Sequence, residues 1–457
     1  EPVVQIIRGW MECLGPTSGE ELSTKLEIPL SKVNAALFRL ESLGTVLQGV
    51  FRSGRSGVEW CDRGLLSRIH RRTIQGLRKS IEPVSPAHFM RFLFKWQHLE
   101  EGTQLHAEAG IREVVSLFQG LELPGPSWEE TILPSRVLNY DPEDLERLCL
   151  AGEVMWGRLG LIDEKPGLGR GRTQTRATPL GFFLRENVEE LVRGVPSSRA
   201  GSALTQNAQE VFGFLNEVGA SFVYEIGKAV GRLPAEVEQA LWELVRNGLV
   251  TGDGVAGLRS LLTPAAKRGG HKSGRRRVSD PKKLGRQKLQ TGRWSVLKRF
   301  GEEQRCGENL QAFWVEQLML RYGIVFRDLL VKEKHGPSWR DLLPRLRQLE
   351  GQGQVRGGRF VSGFVGEQFA APAAVDTMRA INRTEDAGNI VLVHSADPLN
   401  LVGIITPGKR LSPLAGDVIA YRDGVPLAIG ELGQVRSALQ TDPGFRRQTS
   451  KRYARAS

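Results

Sequence analysis

The chain has 457 residues, 40% of them apolar, with 63 Lys and Arg against 51 Asp and Glu and a net charge of +12. That length predicts about three domains or more, and the basic excess favours a polyanionic partner, nucleic acid ahead of an acidic membrane surface. No run nears the ~18 apolar residues of a membrane span, no signal peptide opens the chain, and Glu1 in place of Met reads as a fragment. Cys13, Cys61, Cys149 and Cys306 are dispersed, so neither a metal site nor a disulfide framework is expected, no cofactor is implied, and free thiols fit the cytoplasm.

The first expected unit spans residues 1–66. Ser18 with Glu21 has capping-box spacing. A turn at Ile28-Pro29-Leu30-Ser31 offers Ser31 as a second N-cap. Val33, Ala36, Leu37 and Leu40 then follow the i, i+3, i+4, i+7 pattern of a buried helix face. Gly44 suits the helix end, and TVLQGVFRSGRSGVEW alternates as a hairpin would. Helix, turn, helix and hairpin make a winged helix. The same phrase recurs: Leu148, Gly152 and Val154; Leu244, Gly248 and Val250; Leu349, Gly353 and Val355. The match is closest between Val33-to-Val46 and Val237-to-Val250, where six positions agree in spacing.

In chain order, residues 67–126 read as a basic helix and a second winged helix. Arg68, Arg71, Arg72, Arg78 and Lys79 could meet phosphates, or form a solvated face. Residues 127–192 read as a third winged helix, its hairpin tip carrying Arg170 and Arg172. A linker and a fourth occupy 193–265. Residues 266–295 form a basic linker with Lys267, Arg268, Arg275, Arg276, Arg277, Lys282 and Lys283, suited to tracking a phosphate backbone. Residues 296–380 read as a fifth winged helix with Arg356 and Arg359 in its wing, and Pro344 predicts a late start or kink in its second helix. Residues 381–440 alternate short β-branched runs with Pro and Gly turns, as a small β-barrel would, and 441–457 form a basic tail. The fold class is therefore mainly α with β wings, about five tandem winged helices followed by a β-barrel module. No Walker A, DExx, HExxH or GxSxG sequence is present.

Several phrases together resemble the C-terminal region of the bacterial large helicase-related (Lhr) DNA-repair family. They include EWCDRGLLSRIHRRTIQGLRKSIEPVSPAHFMRFLFKWQHL, LPSRVLNYDPEDLERLCLAGEVMWGRLG, GGRFVSGFVGEQFA and SADPLNLVGI with YRDGVPLA. The resemblance implies tandem winged helices, a terminal barrel, a preceding helicase core not contained in this chain, homo-oligomers such as tetramers, and uracil removal that relies on an aspartate. The layout is also similar to AlkZ-type DNA glycosylases, without their Gln-x-Gln pattern. Excision requires a flipped base, an apolar pocket and a carboxylate. Asp397 and Asp423, at turns of the expected barrel, are the candidates, with His394 and Asn400 as groups to hold base or water. The expected partner is DNA, single-stranded or hybrid. The alternative is a non-catalytic platform for nucleic-acid binding and oligomerisation.

Overall fold

The computed structural model describes residues 2–52, 57–79, 81–160, 178–193, 204–262, 292–297, 308–383 and 388–440. The chain divides into two compact units, residues 1–82 and 83–457.

The first unit is a complete winged helix. Helices Pro2–Met11, Gly19–Leu26 and Leu30–Ser42 precede the hairpin Val46–Gly49 and Glu59–Asp62. Ile7, Leu22, Val33, Leu37 and Trp60 form its core. The Ser18 and Glu21 capping box is present. The following helix starts at Leu30 with Pro29 at its N-cap, two residues before the expected Ser31 cap. Arg52 fixes the wing by pairing with both Glu21 and Glu59.

The second unit contains three more helix–turn–helix–hairpin motifs among the described residues. One runs from Ala107–Phe118 through Trp128–Ile132, Leu133–Arg136 and Pro142–Leu150 to the strands Val154–Gly157 and Pro179–Leu184. The next uses Gln206–Val218, Val223–Val230 and Pro234–Arg246 with strands Val250–Gly252 and Trp294–Val296. The last uses Glu308–Tyr322, Arg327–Lys332 and Trp339–Gly351 with strands Arg356–Gly358 and Gln368–Ala370. That last helix begins directly after its Ser338 cap and continues through Pro344, so the expected late start is absent.

The recurring Leu-x3-Gly phrase has one structural meaning. Gly44, Gly152, Gly248 and Gly353 all take left-handed φ, between 61° and 79°. Each glycine N–H donates three residues back, to Glu41, Cys149, Val245 and Glu350. Each following N–H donates to the leucine carbonyl, Leu40, Leu148, Leu244 and Leu349, at 2.9 to 3.1 Å. This pair of bonds is a Schellman motif, which satisfies the orphan carbonyls of a helix end and turns the chain into the wing.

The segment expected to be a separate second winged helix is built differently. Helix Pro86–Trp96 packs on helix Pro372–Asn382. Helix Ala107–Phe118 opens the next motif, and the strand Leu105–His106 pairs in parallel with Val137–Leu138. No hairpin of its own is seen among the described residues of 84–126, so four complete winged-helix motifs are described. The terminal module also departs from expectation. Ile390–His394, Val418–Arg422 and Val425–Gly430 form an open three-stranded antiparallel meander, not a closed barrel. Helix Leu432–Gln440 covers one face, packing Val435 and Leu439 on Ala420. The intervening residues 395–417 contain Pro398, Pro407 and Pro413, which lack the N–H a ladder needs.

A buried polar seam ties the second unit together. Arg321 is fully buried, pairs with Glu333, and donates to the Leu117 carbonyl at 2.8 Å. Gln119 donates to Gln317 at 2.8 Å, and Gln97 to the Arg321 carbonyl at 2.9 Å.

Candidate nucleic-acid interface and base cavity

Helix Arg63–Lys79 follows the first wing and is capped by Asp62, whose carboxylate accepts from Leu65 N–H at 2.8 Å. It carries six Arg and Lys, no acid, and no buried residue. At 3.6 residues per turn, Arg68, Arg71, Arg72, Arg78 and Lys79 occupy one arc of about 120°. Leu66, Ile69 and Leu77 lie on the other side. The five cations named from sequence are thus gathered on one helix face. Arg356 is half-buried in the first strand of the last wing, and Arg359, at its turn, is exposed. Arg170, Arg172, Lys267, Arg268, Arg275, Arg276, Arg277, Lys282 and Lys283 lie outside the described residues.

The two candidate aspartates have contrasting surroundings. Asp397 is 4% exposed, and both its oxygens receive Arg136, at 2.7 and 2.9 Å. It also accepts from Leu399 N–H at 2.9 Å. Both oxygens of its carboxylate are engaged, and Asp397 lines neither of the two cavities described below. Nearby, His394 Nδ1 accepts from Ala396 N–H at 3.1 Å, and burial lowers the imidazole pKa. Asn400 donates to the Ser395 carbonyl at 2.7 Å, while its own Oδ1 is buried without a hydrogen-bond partner.

Asp423 stands at the tip of the hairpin between the last two strands, with φ 47°. Its oxygens accept from Gly388 N–H at 3.0 Å and Asn389 N–H at 3.2 Å. The tip rests on the first turn of helix Pro86–Trp96: a Cβ on Gly424 would lie 1.9 Å from the Ala87 carbonyl oxygen. A cavity opens on each side of this wedge. One, of about 170 Å³, is lined by Arg91, Phe94, Lys95, Glu100, Asn389 and Asp423. The other, of about 410 Å³, includes Ser85, His88, Arg422 and Asp423. A cavity of about 150 Å³ admits a benzene ring, so the smaller one is of base size. Its lining includes the buried Phe94, two cations and two carboxylates. Sequence reasoning identified Asp423 but missed Arg91, Phe94 and Lys95; their i, i+3, i+4 spacing marks one helix face, with nothing to show what faces it.

The fold defines a tandem winged-helix protein, a class that docks nucleic acid or protein through its second helices and wings. Residues 84–168 and 306–390 each match a winged-helix domain of the large helicase-related protein. The chain is 27% identical over 451 residues to a Mycolicibacterium smegmatis protein named "Lhr helicase/ probable uracil glycosylase", covering 93% of this chain and 28% of that protein. It is 26% identical over 439 residues to the Escherichia coli "Lhr helicase/uracil glycosylase", covering 89% and 27%. The chain is thus similar to the large helicase-related proteins in two of its winged-helix domains, and it spans about a quarter of the length of these relatives.

Proposed function

We propose that the chain is the DNA-binding and assembly region of an Lhr-type repair helicase, and that it excises uracil from DNA at the cavity bordered by Asp423. The observation that carries the excision reading is the position of that carboxylate, on the wall of a base-sized cavity beside Phe94. A flipped uracil would stack on the ring. Water adds to C1′ as the glycosidic bond breaks, the base leaves with the bonding electrons, and the carboxylate takes the proton from water or stabilises the cationic sugar. No cofactor is required. The winged helices and the helix Arg63–Lys79 supply the electrostatic hold on the strand.

A second reading is favoured by the bonds Asp423 already makes. Two backbone N–H groups satisfy a turn aspartate, and the chain would then be a non-catalytic platform that binds nucleic acid and assembles as an oligomer, for example a tetramer. The exposed Val425, Leu427 and Ile429 on the edge strand suit assembly. The test is incubation with uracil-containing single-stranded DNA without ATP, followed by alkali. Cleavage lost in Asp423→Asn supports excision; DNA binding without cleavage supports the platform.

A further inference from the structure

Two carboxylates line the cavity beside Phe94, and their surroundings differ. Asp423 accepts from two backbone N–H groups, at 3.0 and 3.2 Å. Glu100 comes from the turn that ends helix Pro86–Trp96. His98 N–H donates to the Lys95 carbonyl at 3.2 Å and Leu99 N–H to the Phe94 carbonyl at 2.8 Å, the same Schellman pattern that ends the wing helices. His98 takes the left-handed φ, 59°, that glycine takes in those turns, and its ring donates from Nδ1 to the Thr103 carbonyl at 2.9 Å. Glu100 N–H donates to the Phe94 carbonyl at 3.0 Å, and the Glu100 carbonyl accepts from Thr103 N–H at 3.1 Å and Thr103 Oγ1 at 2.7 Å. The backbone of Glu100 is thus fixed on both sides. Its side chain is half-buried in the cavity wall and has no hydrogen bond or ion pair among the described residues.

We propose that Glu100 is a second catalytic carboxylate of this cavity, the group that takes the proton from the attacking water, while Asp423 is the stationary charge that faces the cationic sugar. The inference rests on the excision reading above and deepens it. Two carboxylates in one site divide the work according to their surroundings. A proton acceptor must exchange hydrogen-bond partners as it reacts, which suits a carboxylate that has none to give up. A carboxylate oriented by two backbone donors suits fixed electrostatic stabilisation. As the C1′–N1 bond breaks, its electron pair leaves with uracil. A lone pair of water forms the C1′–O bond, and Glu100 takes the proton that this water sheds. Protonated Glu100 then passes the proton to the uracil anion, so the carboxylate is regenerated and the sum is hydrolysis.

The test uses the full chain on uracil-containing single-stranded DNA without ATP, with alkali to reveal abasic sites and strand binding measured in parallel. Glu100→Gln keeps the side chain's size and should lower the cleavage rate by about a hundredfold or more, with binding little changed. Glu101→Gln, at the exposed neighbouring position, removes the same charge and should cleave as wild type does. Added formate should restore cleavage to Glu100→Ala, because it supplies the missing proton acceptor; a purely structural glutamate would not be replaced in this way. A wild type that cleaves, with Glu100→Gln cleaving at a similar rate or Glu100→Ala inactive and not rescued, would overturn the role of Glu100 and leave excision standing. A wild type that binds the strand and leaves its uracils in place would overturn the excision reading and the role of Glu100 together.

Discussion

Arg136 and Asp397, 261 positions apart, form a two-pronged ion pair at 2.7 and 2.9 Å with essentially no exposure to solvent. The arginine also donates to the Gln97 carbonyl at 3.0 Å and lies over the Phe118 ring at 4.8 Å. The pair joins a helix of the second winged-helix motif to the terminal module, so Asp397 holds two parts of the chain in register.

Asp397→Asn should therefore be read first as a stability variant. Removing one partner of a buried pair strands the other charge and costs about 3–5 kcal/mol. Denaturant unfolding should show that loss. Replacing both partners with apolar residues, Arg136→Met with Asp397→Leu, should recover most of it. Equal stability of wild type and Asp397→Asn would show the pair to be unimportant.

Gly424 sets how the hairpin tip seats on helix Pro86–Trp96. Its φ of 83° and the 1.9 Å approach of an added Cβ to the Ala87 carbonyl both oppose any side chain. Gly424→Ala should cost about 1–3 kcal/mol, through backbone strain and overpacking. The contact lies at the cavity wall, so hydrogen exchange should rise at residues 421–425 and in the first turn of that helix. Unchanged exchange there would refute the wedge.

Lys332 predicts a pH dependence of stability. Its folded pKa lies near 8 against 10.5 for a free side chain. Below pH 8 the lysine is protonated in both states and its burial penalty is fully felt. Between about 8 and 10.5 the unfolded chain binds more protons, so this group's contribution to stability rises with pH. Relative to Lys332→Met, wild type should gain stability across that window. Parallel curves for the two proteins from pH 7 to 10.5 would contradict it.

Much of the array was legible in the sequence because its signals are local. The Schellman glycines, the Ser18 cap and the apolar faces at Val33 and Val237 depend on neighbours within one helix. Asp423-Gly424 likewise announced its own turn. The Arg136–Asp397 pair was not legible, because nothing near Arg136 marks a partner in the terminal module. The cavity was missed for the same reason: Arg91, Phe94 and Lys95 reach it only after helix Pro86–Trp96 meets a hairpin more than 300 residues later. Alternating runs near the end suggested a barrel, yet β-branched alternation predicts strands and not closure. The prolines of residues 395–417 withhold the ladder that closure would need.

The most direct measurement compares wild type and Asp423→Asn on uracil-containing single-stranded DNA without ATP, with alkali to reveal abasic sites and a binding assay alongside. The account predicts cleavage by wild type, at least a hundredfold less by Asp423→Asn, and similar DNA binding by both, since general acid–base groups contribute about 10²–10⁴-fold. Undiminished cleavage by Asp423→Asn, or a wild type that binds the strand and leaves its uracils in place, would contradict it.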